Sequence, residues 1–261
     1  MKTLDFHNDW HVGDQLAQLH FLRKLCAAYP DLSFRQFMPD CYLWQMLEVV
    51  EDTDRITLHP NNQRPNDSVD SWINYNDFCG RHKNYHYQYV EFYLEFYEHL
   101  AGRVGLESPI KTVADMLYDY PAIRKSTPLS QPIGVLVINS APLSEQFKDY
   151  NTGHFAALIQ DLVAKGHKVA YTQKCPAPAE AICTTDAGLT VTGVGNLSLD
   201  CDYIISVGCG PMWPTINVWN QARVKSRWHL STYSTLNYGP AYHDVMTISH
   251  LRSDLTKAGV L

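Results

Sequence analysis

The chain has 261 residues, 45% apolar and 18% charged, the balance of a folded globular protein, which excludes a disordered one. Its net charge of −6 lies in the first half: residues 1–125 carry 12 Lys/Arg against 18 Asp/Glu, and residues 126–261 carry 9 of each. A long polyanion therefore meets no basic footprint in that half, and no apolar run reaches the length of a membrane span.

The opening MKTLDFHNDWHVGD turns polar within a few residues, unlike a secretory leader, so a cytoplasmic protein is expected. Residues 3–7 read as a short strand. The loop His7-Asn8-Asp9-Trp10-His11-Val12-Gly13-Asp14 follows, and Leu16, Leu19, Leu22, Leu25 and Cys26 then line one side of a helix that stops near Pro30. Residues 32–37 and 55–58 read as strands around a helix at 41–50. Residues 85–100 read as a long aromatic helix whose rings belong to the core more than to a binding surface. Arg81-His82-Lys83 is a local basic spot.

Two prolines among small polar residues, Ser126 to Pro132, mark a linker. The expected domains are 1–126 and 133–261. Residues 133–139 are continuously apolar, as in a buried parallel strand. Phe155, Leu158, Ile159, Leu162 and Val163 then repeat with helical period, with Thr152 as expected N-cap and Gly166 as stop. Residues 167–172 and 202–207 are further strands, and the second runs into Gly208-Cys209-Gly210-Pro211-Met212-Trp213, where Pro211 suits a helix start. The fold class is therefore α/β, with two Rossmann-like units and a cleft between them.

Ligands of open α/β sheets bind beyond the carboxyl ends of strands, where helix N-termini favour anions. Three loops qualify. The first holds His7, Asp9, His11 and Asp14, groups able to take a proton from a hydroxyl; Asp14 also reads as a first-turn capping acid. The second, Asn139-Ser140-Ala141-Pro142 with Lys148, offers small residues and a cation to phosphate. The third, Gly208 to Trp213, allows close backbone approach to a diphosphate. Cys209 is a nucleophile only on paper, with no base assigned. Seven cysteines without a CxxC pair, and no HExxH motif, point to reduced thiols and no metal.

The stretch His11-Val12-Gly13-Asp14-Gln15-Leu16 through Tyr29-Pro30 resembles the opening of the ADP-heptose heptosyltransferases, glycosyltransferase family 9. Val137-Ile138-Asn139-Ser140-Ala141 through Lys148, Lys165-Gly166-His167-Lys168-Val169, and Gly210-Pro211-Met212 after a strand are similar to that family's donor domain. The resemblance implies a GT-B fold, with an acceptor in 1–126 and a nucleotide-sugar donor in 133–261. It implies Asp14 as catalytic base and His7, Asp9, His11 and Gly13 on the acceptor side. Donor contacts fall to Ser140, Lys148, Gly208, Gly210, Pro211 and Met212, and neither cofactor nor metal is expected. The family's donor loop reads D-[ST]-G-P-M-H; here Gly208, Cys209 and Trp213 depart from it, and a Trp there is similar to the protein-directed heptosyltransferases. The expected function is an inverting, metal-independent transfer of a sugar to a glycan, protein or hydroxylated DNA base. The alternative is a GT-B-like binding or assembly module without activity. A dehydrogenase is disfavoured, because no GxGxxG follows the first strand.

Overall fold

The computed structural model describes residues 1–71, 87–125, 129, 132–143, 147–232 and 234–261. The basic spot Arg81-His82-Lys83, the start of the predicted aromatic helix and most of the predicted linker lie outside the described residues.

The first half forms β1 (Lys2–His7), α1 (Val12–Ala28), β2 (Leu32–Met38), α2 (Asp40–Val50), β3 (Ile56–Pro60), β4 (Val69–Asp70), β5 (Tyr87–Gln88) and α3 (Tyr89–Arg103). The second forms β6 (Val135–Ile138), α4 (Thr152–Ala164), β7 (Val169–Tyr171), β8 (Ile182–Cys183), α5 (Val191–Leu197), β9 (Tyr203–Val207), β10 (Ser226–Leu230), β11 (Ser234–Thr235), β12 (Tyr242–Val245) and α6 (Ile248–Lys257). One parallel sheet has the order β3-β2-β1-β4 and the other β12-β10-β9-β6-β7-β8. All strands run parallel, but the side on which successive strands are added changes between β1 and β4 in the first sheet and between β6 and β9 in the second, so each has one topological switch point.

The two sheets bury their faces differently. All four residues of β6 are buried, as expected for a strand covered on both sides. The first sheet instead alternates. Phe6, Phe34 and Ile56 face a core shared with α1, while the other face joins Thr3 to Ser33 (2.9 Å), Asp5 to Arg35 and Thr57 to His59 (2.9 Å). That polar face is why residues 3–7 read less clearly as a parallel strand than 133–139.

Predicted boundaries shift where local chemistry decides them. Asn151, not Thr152, caps α4, its side chain accepting from the Gly153 N–H at 2.8 Å. The α4 stop at Gly166 has φ +86°, a conformation that suits glycine. Gly210–Thr215 is a 3-10 turn and not an α-helix, because Pro214 lacks an N–H and its ring would strike the carbonyl four residues back. α1 is buried nearly all round, including Gln15, Gln18 and His20, since it lies between the first sheet and α3. Stacking of Phe21 on Tyr97 (centroids 5.3 Å apart) joins α1 to α3, whose Tyr89, Phe92, Tyr93, Phe96 and Tyr97 are core.

One hydrophobic cluster runs from Phe6 and Leu16 through Tyr93 and Tyr120 to Leu136, Ile204 and Trp213, so both halves contribute to it. A second cluster, under α4 and α6, belongs to the second sheet alone. The shared core includes a close approach between α5 and the 3-10 turn. A Cβ on Gly195 would lie 2.7 Å from the Pro214 Cβ and 2.9 Å from its carbonyl oxygen. Backbone cannot yield as a side chain does, so Gly195→Ala is expected to destabilise by about 1–3 kcal/mol, read by urea unfolding, despite alanine's better helix propensity.

Candidate active site

Asp14 lies in the first turn of α1, directly beyond the carboxyl end of β1. One carboxylate oxygen accepts from the His11 N–H at 3.1 Å, the capping contact expected of an acid at this place. The His11 imidazole stands 3.9 Å from the same oxygen. The Asp14 side chain is 18% exposed. Tyr42, Tyr93 and Tyr118 feel its charge. Desolvation outweighs the backbone hydrogen bonds and pushes the carboxyl up to about 7. A base whose proton affinity sits near neutrality both takes and releases a proton at working pH.

The Gly208 to Trp213 loop follows β9, at the switch point of the second sheet, and packs on the start of α1. A Cβ on Gly13 would lie 2.6 Å from the Trp213 Nε1, and one on Gly210 would lie 2.2 Å from the Val12 Cγ1. Glycines at both positions let the two loops touch. Trp213 is 7% exposed, with edge contacts to Tyr89 and Tyr93 at 5.3 and 5.4 Å. Behind the loop, the buried Arg227 guanidinium donates to the Thr215 hydroxyl (3.2 Å) and carbonyl, and lies over the Tyr242 ring. Asn217 and Asn220 donate to the Pro214 and Thr215 carbonyls at 2.9 and 2.8 Å. The turn is therefore anchored from below.

Ser140 sits at the end of β6, its hydroxyl 2.9 Å from that of Thr172. Cys209 follows the end of β9, and its carbonyl accepts from the Met212 N–H at 3.1 Å. Burial pushes its thiol up to about 12, which makes it a poor nucleophile. Asn139 is structural: its side chain accepts from Thr172 and Gln173 N–H groups at 3.1 and 2.8 Å.

Lys148 lies in the loop before α4, its N–H donating to the Thr232 hydroxyl at 3.0 Å. It lines a cavity of about 650 Å³ with Tyr150, His154, Thr247, Ser249 and Arg252, at the N-termini of α4 and α6. Those helices cover the face of the second sheet that turns away from α1. Tyr150 joins the two places, lining the cavity while its hydroxyl donates to the Asn139 carbonyl at 2.7 Å.

On the first sheet, Asp9 accepts from Asn61 and from Arg64 (2.9 Å), and His7 lies between Ser68 and Asp70. Sequence reasoning missed those partners, which come from residues more than 50 positions away. It also missed His229, buried beside Tyr89 with neither ring nitrogen hydrogen-bonded; desolvation lowers its pKa to about 3. No helix among the described residues is long and apolar enough to cross a membrane, and no three of their His, Cys, Asp or Glu side chains gather as metal ligands.

No family model matches the chain, and no curated protein matches it. Solved structures do. The Escherichia coli heptosyltransferase WaaC, bound to ADP-2-deoxy-2-fluoro heptose, superposes with a TM-score of 0.58 at 11% identity, covering 98% of this chain and 100% of that one. A family 9 glycosyltransferase of Veillonella parvula gives 0.53 at 12% identity, over 100% of this chain and 90% of that one. The iron-containing dodecameric glycosyltransferase TibC of enterotoxigenic E. coli gives 0.54 at 12%, over 94% and 62%. The two parallel sheets, their switch points and these superpositions agree: the chain has the α/β GT-B fold and resembles the heptosyltransferases in it.

Proposed function

We propose that the chain is a glycosyltransferase that moves a sugar from a nucleotide-activated donor to an acceptor hydroxyl. The observation that carries this reading is the contact of Gly13 with Trp213 and of Val12 with Gly210. It sets the acid at the start of α1, with its raised proton affinity, against the loop beyond β9. In this reading residues 1–126 take the acceptor and residues 133–261 the donor. Asp14 removes the acceptor proton as that oxygen attacks the anomeric carbon from the side opposite the diphosphate, and the configuration inverts. The bond from the anomeric carbon to the diphosphate oxygen breaks. Amides around Ser140 and Gly208 to Met212 take up the leaving charge without a metal, and Lys148 reaches in from the adjoining cavity. Asp9, His11 and Gly13 flank the acceptor, which is a glycan, a protein hydroxyl or a hydroxylated DNA base.

The test is thermal unfolding of the full chain against a panel of nucleoside diphosphates and nucleotide sugars. A ligand at a hundred times its Kd stabilises the folded state by about 2.7 kcal/mol, so a rise of several degrees is expected with one nucleotide family. Trp213 fills the space over Gly13, which favours a second reading, a binding or assembly module without turnover. Absence of a shift with every nucleotide would transfer support to that module.

A further inference from the structure

The first sheet carries a second constellation at its own switch point. β1 pairs with β4 so that His7 stands opposite Asp70, the last residue of each strand. Ser68 immediately precedes β4 and meets the other nitrogen of the His7 ring. The register thus sets an imidazole between a carboxylate and a hydroxyl: His7 Nε2 is 3.3 Å from Asp70 Oδ2, and His7 Nδ1 is 2.9 Å from Ser68 Oγ.

The hydrogen-bond roles follow in order. The Asp70 carboxylate beside Nε2 is an acceptor only and favours the tautomer with the imidazole proton on that nitrogen. In that tautomer Nδ1 holds the lone pair and the Ser68 O–H donates to it. That is the polarity of a nucleophilic serine with its base and the base's orienting acid. The frame around it is tied down. The Ser71 N–H and hydroxyl both donate to the His7 carbonyl, at 3.0 and 2.7 Å. Ser68 closes a turn on the Pro65 carbonyl (3.2 Å), and Arg103 donates to the Asp70 carbonyl. The His7 and Asp70 side chains are 11% and 15% exposed, while Ser68 is half-buried. Phe6 faces the α1 side of the sheet, so the relay occupies the opposite, polar face, away from Asp14.

We propose that Ser68 is a nucleophile, activated by His7 and oriented through Asp70, that reacts with small activated carboxylic esters. The Ser68 oxygen attacks the ester carbonyl carbon as His7 Nδ1 takes the hydroxyl proton. The carbon–oxygen bond to the alcohol breaks, and the alcohol leaves with the proton from His7. Water then attacks acyl-Ser68, His7 takes the water's proton and returns it to the Ser68 oxygen, and a carboxylic acid is released.

The experiment treats the full chain, without nucleotide, with a fluorophosphonate probe and reads intact mass and the labelled peptide. One adduct on Ser68, with loss of fluoride, is expected. Ser68→Ala abolishes it, and His7→Gln slows labelling by at least about 100-fold. Asp70 positions the imidazole and does not touch the ester, so its readout is the ring itself. Nitrogen NMR shows the proton on Nε2 in the native chain and on Nδ1 in Asp70→Asn, while Asp70→Glu restores both tautomer and labelling. No adduct on Ser68, labelling indifferent to His7→Gln in a chain that melts normally, or a native proton on Nδ1 each overturns the proposal. Since no nucleotide is present, that result is separate from any failure to bind a sugar donor.

Discussion

Asp14→Asn is expected to raise stability at pH 8 and to remove most of the turnover of any sugar transfer, two effects of opposite sense from one carboxyl. The stability effect follows from proton linkage. Burial raises Asp14 from 3.8 in the unfolded chain to about 7 in the folded one. Below pH 3.8 the carboxyl is protonated in both states and costs nothing. As pH rises toward 7 the unfolded chain releases this proton and the folded chain keeps it, so stability falls, and the full cost is present above 7. Each tenfold change in proton affinity is about 1.4 kcal/mol, which bounds the cost at about 4 kcal/mol. Asparagine keeps an oxygen for the His11 N–H and has no charge to desolvate. The variant should therefore melt several degrees above the native chain at pH 8, with the gain shrinking steadily toward pH 5. A difference independent of pH would show that Asp14 is ordinarily solvated. The catalytic effect reads the same proton. A general base must be ionised, so the rate of transfer should rise through pH 7, and Asp14→Asn should lower kcat by about 10²–10⁴-fold while leaving nucleotide-sugar binding in place. Full activity in the variant would end the role given to Asp14.

Much of this architecture is readable in the residues. The apolar run from Ile133 to Ile138 and the helical repeat from Phe155 to Val163 need only local periodicity, and both elements stand where that periodicity puts them. Asp14 and the Gly208 to Trp213 loop are legible for the same local reason, because each lies between a strand end and the next element. What escapes the sequence is contact fixed by register. Nothing near His7 announces Ser68, 61 residues away, because their meeting depends on β1 choosing β4 as its parallel neighbour. Polar residues inside the core are equally silent. Arg227 looks like a surface cation, yet it is 4% exposed and holds the Thr215 carbonyl. Lys148 shows a third limit: a lysine in a polar loop has a legible charge, but the cavity it lines with His154, Thr247 and Arg252 draws on residues from as far along the chain as α6.

Gly13→Ala should destabilise the chain, although alanine is the better helix former, and replacing Trp213 should rescue it. Gly13 lies in the first turn of α1 and needs no positive φ, so helix propensity alone predicts a gain of about 0.5–1 kcal/mol. The added methyl instead meets the Trp213 Nε1 at 2.6 Å and Cδ1 at 2.9 Å. The indole cannot swing away cheaply, because Tyr89 and Tyr93 press on it. Overpacking of this kind costs about 1–3 kcal/mol, so contact outweighs propensity. Trp213→Leu removes the rigid ring and leaves room for the methyl. The double variant should then be more stable than the sum of the two single changes predicts, with a coupling of about 0.5–3 kcal/mol in a urea double-mutant cycle. Additive changes would mean that the two residues do not touch in solution. The same cycle tests the electrostatics. The indole covers Gly13, the residue next to Asp14. In Trp213→Leu the Asp14 proton affinity should fall back toward that of an ordinary carboxylate. The pH at which stability declines, and the midpoint of any transfer activity, should move down with it, because opening the packing beside Gly13 admits water to the neighbouring carboxyl.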